Sequence, residues 1–327
     1  MKTSSSKRFL STVAAAAAIL GLNLAAAPAA RAAAPQVKTQ APGYYRLMLG
    51  DIEVTALSDG SVVLPMDKLL TGAKPEQIQQ ALKNAYLDGQ VETSVNGYLI
   101  NTGSKLVLID TGAAALFGPT LGRLAANLRA AGYQPEQVDE VYITHLHSDH
   151  AGGLVADGKP AFPNAVVRID KREADHWLSA EKMAQAPEAA RGGFKAAQSL
   201  LKPYQDAGRL KPFDGATELV PGVRALPSYG HTPGHTVYMV ESKGQKMAVW
   251  GDLMHVAAVQ FPDPTVTISF DTDSASAMPQ RQQAYADAAK NGYLVAVAHI
   301  SFPGLGRLRA DGKGGYVWVP LNYSSKP

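Results

Sequence analysis

Thr144-His145-Leu146-His147-Ser148-Asp149-His150, followed at once by Ala151-Gly152-Gly153, decides how the rest of the chain is read. It comes directly after an apolar run, Val141-Tyr142-Ile143, with the character of a buried strand. A strand sends alternate side chains to opposite faces, so His145 and His147 leave its end pointing the same way. The turn that must follow swings Asp149 and His150 round to a second point close by. Such spacing suits two adjacent cations sharing one loop. Imidazole and carboxylate without thiolate suit zinc or a similar divalent ion. A lone His-x-His is more often structural, but this loop offers four ligand-type groups within six residues.

Three later segments supply what a two-metal site still lacks. Gly230-His231-Thr232-Pro233-Gly234-His235 is a tight turn carrying histidine. Gly251-Asp252 ends the apolar run Met247 to Trp250, and Ala298-His299 ends the run Leu294 to Val297. Each ligand type falls at a strand terminus, where loops gather into sites.

The segments between them alternate strand and helix. Ile52 to Leu57 alternates apolar with polar and reads as a strand turned by Ser58-Asp59-Gly60, after an extended lead-in over 35–50. Pro75 opens a helix bearing Ile78 and Leu82. Strands follow at Ser94 to Asn101 and Lys105 to Asp110, and then a helix marked by Leu121, Leu124 and Leu128. Beyond the motif come a strand at Ala165 to Ile169 and a helix opened by Asp170 and Glu173 in capping-box spacing, carrying Trp177. Residues 181–212 read as a helical insertion. The second half repeats the plan, with strands near 217–227, 236–241, 246–251 and 293–298 and a helix near 279–291. Two β-rich halves with intervening helices predict sheet packed on sheet, covered on both outer faces.

Composition sets outer bounds. A chain of 327 residues, 46% hydrophobic and 18% charged, suits one large domain or two fused halves. The first 34 residues read as a secretory signal peptide: a basic start at Lys2, Lys7 and Arg8, an apolar run from Val13 to Ala27, and Ala32-Ala33-Ala34 before Pro35. The remaining 35–327 would form a single domain, periplasmic or secreted, with the export route open between general and twin-arginine secretion. The leader holds four of the 31 basic residues and none of the 28 acidic ones, leaving 27 against 28 and a net charge of −1. Nothing in that balance points to nucleic acid. No other stretch is long and apolar enough to be a membrane anchor. With no cysteine, a metal must be held by His, Asp or Glu.

His145-x-His147-x-Asp149-His150, the Gly230-to-His235 turn, Gly251-Asp252, His299 and Asp110-Thr111-Gly112 together resemble the metallo-β-lactamase superfamily. A closer resemblance, to methyl parathion hydrolases and related lactonases and aryl esterases, is carried by Val107 to Ala114, Phe117-Gly118-Pro119-Thr120 and His299 to Gly304. This implies an αββα sandwich and a homodimer. It also implies one ion on His145, His147 and His235 and another on Asp149, His150 and His299. Asp252 would bridge them, with a hydroxide between the ions as nucleophile. Two zinc-like cations would lower the pKa of shared water from about 15.7 towards neutrality and polarise a carbonyl or phosphoryl oxygen. Asp149 and Asp252 would offset part of their charge.

Asp110 would orient a ligand imidazole or cap a turn, and His231 would sit behind the ligands. His176 is assigned to an exposed helix face. Phe117, Trp177 and Phe194 match aromatic residues that line the leaving-group pocket in the resembling family. Leu69, Ile268 and Phe270 are bulkier or more apolar than those relatives carry. His255 replaces an apolar residue; it contacts substrate and shares in catalysis with Asp252 and Asp149, or it is a packed core histidine. The expected reaction is opening of lactones, such as dihydrocoumarin, or cleavage of aryl esters, with organophosphate triester cleavage as a side activity. The alternatives are a dedicated phosphotriesterase and a non-catalytic metal-binding protein.

Overall fold

In the computed structural model, residues 34–325 are described. The expected signal peptide, residues 1–34, therefore lies outside the described residues except for Ala34. The chain divides into units 1–39 and 40–327, and every element below belongs to the second.

One sheet has six strands in the order Tyr44–Leu49, Ile52–Pro65, Gln90–Asn101, Leu106–Ile109, Glu140–Tyr142 and Val166–Arg168. The last three run parallel. The other has seven, in the order Thr217–Val220, Val223–Pro227, Thr236–Ser242, Gln245–Val249, Leu294–Ala296, Leu305–Ala310 and Tyr316–Pro320. Only Gln245–Val249 and Leu294–Ala296 pair in parallel there.

Strand alternation sorts the side chains into layers. Val107 and Ile109 face the space between the sheets, while Leu106 and Leu108 face outward. Met247 and Val249 likewise face inward, and Ala248 and Trp250 outward. The outer face of the first sheet is covered by helices Leu124–Ala130 and Arg191–Asp206, through Leu124, Leu128, Phe194, Leu201 and Tyr204. Helix Ser274–Asn291 covers the second sheet with Tyr285 and Ala288, and stops at Gly292 in the left-handed region. The layers run helix, sheet, sheet, helix, as expected.

Several boundaries differ from the sequence reading. Residues 35–50 contain a strand, Tyr44–Leu49. Ser58-Asp59-Gly60 is no turn: the strand continues to Pro65, with a register shift between Ser58 and Gly60. Asp170 does cap its helix, accepting from Arg172 N at 2.7 Å, but Glu173 points into the interior instead of completing a capping box. Strands Leu305–Ala310 and Tyr316–Pro320 were not anticipated. Two tyrosines tie the sheets at their ligand-bearing ends. The Tyr98 hydroxyl donates to Val297 O at 2.9 Å, and the Tyr238 hydroxyl to Ile143 O at 2.8 Å. No helix among the described residues is long and apolar enough to cross a membrane.

Candidate metal centre

Strand ends of both sheets bring the ligand-type residues together around Asp252. Its Oδ2 lies 3.5 Å from His145 Nε2, 3.1 Å from His231 Nε2 and 3.1 Å from His255 Nε2. Its Oδ1 lies 3.0 Å from both His150 Nε2 and His299 Nε2. Asp149 Oδ2 stands 3.4 Å from each of those two nitrogens. His147 joins the first group with its Nδ1, 3.1 Å from His231 Nε2. The result is one cluster of His145, His147, His231 and Asp252 beside another of Asp149, His150 and His299. One carboxylate faces both through different oxygens.

Three of the rings are fixed on their far side. His150 Nδ1 donates to Asp110 Oδ2 at 2.8 Å, His231 Nδ1 to Asp271 Oδ1 at 2.8 Å and His299 Nδ1 to Ser94 O at 2.9 Å. Asp110 also accepts from Thr144 N and Thr144 Oγ1, both at 2.8 Å. It does so from a left-handed backbone, φ 59°, uncommon for any residue but glycine. Asp110 is thus placed behind His150.

The donors fit divalent ions. With the outer nitrogens committed as donors, the inner ones present lone pairs to carboxylate lone pairs in a buried space. His145 Nε2, His150 Nε2 and Asp252 Oδ1 have no hydrogen-bond partner there. Two ligand atoms held at 2.0–2.1 Å from one tetrahedral zinc stand about 3.4 Å apart, close to the spacings found. The facing carboxylates and imidazoles shift one another's titration. Burial pulls His150 down, but Asp252, Asp149 and Asp110 raise it well above the usual imidazole range. Burial pushes Asp252 up, yet the surrounding imidazoles, His150 first, bring it well below the usual carboxylate range.

His231, expected behind the ligands, and His235, expected among them, both lie against Asp252. His235 Nδ1 donates to Ser228 O at 3.2 Å and its Nε2 accepts from Asp252 N at 3.0 Å. Both ring nitrogens of His235 thus contact backbone, one of them that of Asp252 itself. Burial, with His231 nearby, lowers it to about 3, as befits a neutral ring. His231 instead turns its Nε2 into the first cluster. Burial pulls His231 down, but hydrogen bonds to Asp252 and Asp271 carry it up to about 9.

Above the clusters opens a cavity of about 490 Å³, lined by Val62, Leu64, Phe117, Leu121, His255 and Phe270 among others. Phe117, His255 and Phe270, expected at the substrate, line this cavity. Trp177 and Phe194 do not line the cavity; they stack 4.8 Å apart behind His147, whose ring is 6.0 Å from the indole. His176 is half-buried against the same pair instead of exposed. Leu69 and Ile268 are also set back, packed with Met66 and Leu70 because Ile268 pairs with Leu70 in a two-residue ladder. His255 stacks on His299 at 5.2 Å, and its Nδ1 has no partner. Asp271 escaped the sequence reading, since nothing in its spacing marks it as a neighbour of the ligands, while Thr144 was given no role there and Glu173 was read only as part of a capping box.

The sequence profile of the metallo-beta-lactamase superfamily matches residues 91–299. Among solved structures, a hydrolase of the beta-lactamase superfamily, AbOPH, superposes with a TM-score of 0.83 at 38% identity, over 88% of this chain and 100% of that one. AidC, a dizinc quorum-quenching lactonase solved with an N-acyl-L-homoserine product, gives 0.80 at 28% identity, over 86% and 99%. An N-acyl homoserine lactonase from Bacillus cereus is 26% identical over 197 residues, 54% of this chain and 70% of its own length. One from Bacillus sp. is 28% identical over 165 residues, 45% of this chain, and the match spans 58% of that relative. The matched profile begins in the strand facing Asp110 and ends on His299, taking in every clustered histidine and carboxylate, and on that footing the chain belongs to the metallo-beta-lactamase superfamily.

Proposed function

We propose that this protein is a metal-dependent hydrolase that opens lactones, aromatic ones such as dihydrocoumarin included, and cleaves aryl esters. The observation that carries this reading is Asp252, whose two oxygens each face one cluster at the floor of an apolar cavity. His145, His147 and His231 with Asp252 Oδ2 would hold one divalent ion. Asp149, His150 and His299 with Asp252 Oδ1 would hold the other, zinc in both sites by ligand type. Bound there, such ions supply a water acidified towards neutrality and an electrophile for the substrate's carbonyl oxygen.

The chain's own residues do the rest. Asp110, Asp271 and Ser94 O keep the Nδ1 protons on the outer sides of His150, His231 and His299, which leaves each Nε2 as a lone-pair donor. Phe117, Leu121, Val62, Leu64 and Phe270 present apolar wall to a flat substrate and exclude water around its scissile bond. His255, which lines the cavity beside Asp252, would contact the substrate there. The likeness to a quorum-quenching lactonase supports a lactone over other esters. In the same reading, residues 1–34 direct export and are removed, and the mature protein is a homodimer.

The test is kcat/KM of the zinc-loaded protein on dihydrocoumarin, an N-acyl homoserine lactone and a nitrophenyl dialkyl phosphate. Lactones should be preferred by at least about tenfold, the discrimination that shape and polarity of a pocket supply. Preference for the phosphate would replace this reading with a phosphotriesterase.

A further inference from the structure

Glu173 has no exposed surface, and it lies on helix Lys171–Trp177, outside both clusters. Its carboxylate accepts three N–H bonds, each from a different part of the site. Oε1 accepts from Leu146 N at 2.9 Å, the residue between His145 and His147. Oε2 accepts from Gly234 N at 2.8 Å, in the turn that carries His231 and His235. Oε1 also accepts from Trp177 Nε1 at 2.7 Å, whose ring stands edge-on to His147. Turn and helix touch backbone to backbone here: a Cβ on Gly234 would lie 2.3 Å from Glu173 N. Burial raises the Glu173 carboxyl, against the pull of these hydrogen bonds.

We propose that Glu173 is a positioning residue of the metal centre. Its carboxylate locks the loop of His145 and His147 to the turn of His231 and holds the Trp177 indole against His147. The two ligand segments belong to different sheets, and a carboxylate joins them because it accepts on both oxygens. Glutamine has nearly the same shape, but its amide nitrogen donates and would face an N–H on one side or the other. This inference rests on the clusters being a metal centre and is independent of which substrate is cleaved.

Glu173→Gln is compared with wild type and with Val223→Ala, a fully buried truncation in the second sheet that touches no site residue. Each protein is purified, its melting temperature recorded, and its affinity for zinc measured by competition with a chromophoric chelator. The visible spectrum of the cobalt-loaded form then reports the ligand field. Glu173→Gln should weaken ion binding by about tenfold or more, as loss of a ligand's supporting contact does, and change the cobalt spectrum. Val223→Ala should lower the melting temperature alone. A Glu173→Gln protein that is merely less stable, with wild-type affinity and spectrum, overturns the proposal. If Glu173→Gln does not fold, Glu173→Asp keeps the charge but shortens its reach: an altered spectrum supports positioning, and a wild-type one overturns it. A wild-type chain that binds no divalent ion overturns the metal centre itself. Ion binding without lactone turnover would overturn only the substrate reading.

Discussion

His231 and His235 stand four residues apart in one turn, both buried, and His231 is the one whose ring joins the cluster of His145, His147 and Asp252. The direction is decided by the turn. Gly230, at φ 137°, packs so closely on the following helix that a Cβ would lie 2.3 Å from Ala277 N. That approach places His231 between Asp252 and Asp271, while His235 is left to bond backbone on both sides. His231→Ala should leave fewer than two ions bound per chain and cut hydrolysis by about 100-fold or more, as loss of a ligand does. His235→Ala should keep both ions and lose about 1–3 kcal/mol of stability, because the Asp252 N–H and Ser228 O lose their partner. Metal analysis by mass spectrometry with thermal melting decides the matter; an ion lost only in His235→Ala would reverse the assignment. The residues of the first loop were legible because their crowding has no common structural explanation. How His231 and His235 point was not, since spacing gives the type of side chain and turn geometry gives its direction.

At the scale of elements, most helices and strands announced themselves through periodicity, and Pro75 marked the start of its helix. Ser58-Asp59-Gly60 misled because those residues favour turns, yet here they form a bulge inside a long strand. The reason lies across the sheet. Asp59 Oδ2 accepts from Ala113 N at 2.9 Å and Gly122 N at 3.0 Å, and its Oδ1 accepts from Leu124 N at 3.0 Å. Those bonds pin both ends of the loop that carries Phe117 over the cavity. Asp59→Ala should therefore cost about 2–4 kcal/mol, from several charge-assisted bonds lost at a buried site. It should also raise KM for aromatic lactones several-fold while kcat changes less. Steady-state kinetics with urea denaturation measure both, and an unchanged KM would detach Asp59 from the pocket. Leu305–Ala310 went unread because Arg307 and Arg309 interrupt its apolar pattern, whereas Tyr316–Pro320 carries the aromatic and β-branched residues of a strand and was passed over.

At the scale of the whole molecule, each cluster mixes the two halves. His145 and His147 meet His231 and Asp252, and Asp149 and His150 meet His299. Bound ions would therefore link the sheets and stabilise only the folded chain. An ion at about 100 times its dissociation constant adds about 2.7 kcal/mol, which for a domain of this size is about 5–10 °C in melting temperature. Calorimetry with and without a strong chelator measures it, and an unchanged melting temperature would remove the ions from any role in joining the halves. The layered plan was legible because two rounds of strands and helices, each too apolar to stand alone, leave few other packings. The tyrosine contacts across the seam carry that plan further. Tyr98 of the first half grips Val297, two residues before His299, and Tyr238 of the second grips Ile143, two residues before His145. Each half thus steadies the other's ligand before any ion arrives. An ion arriving there would meet ligands already held in place, with little ordering of the chain left to oppose its binding.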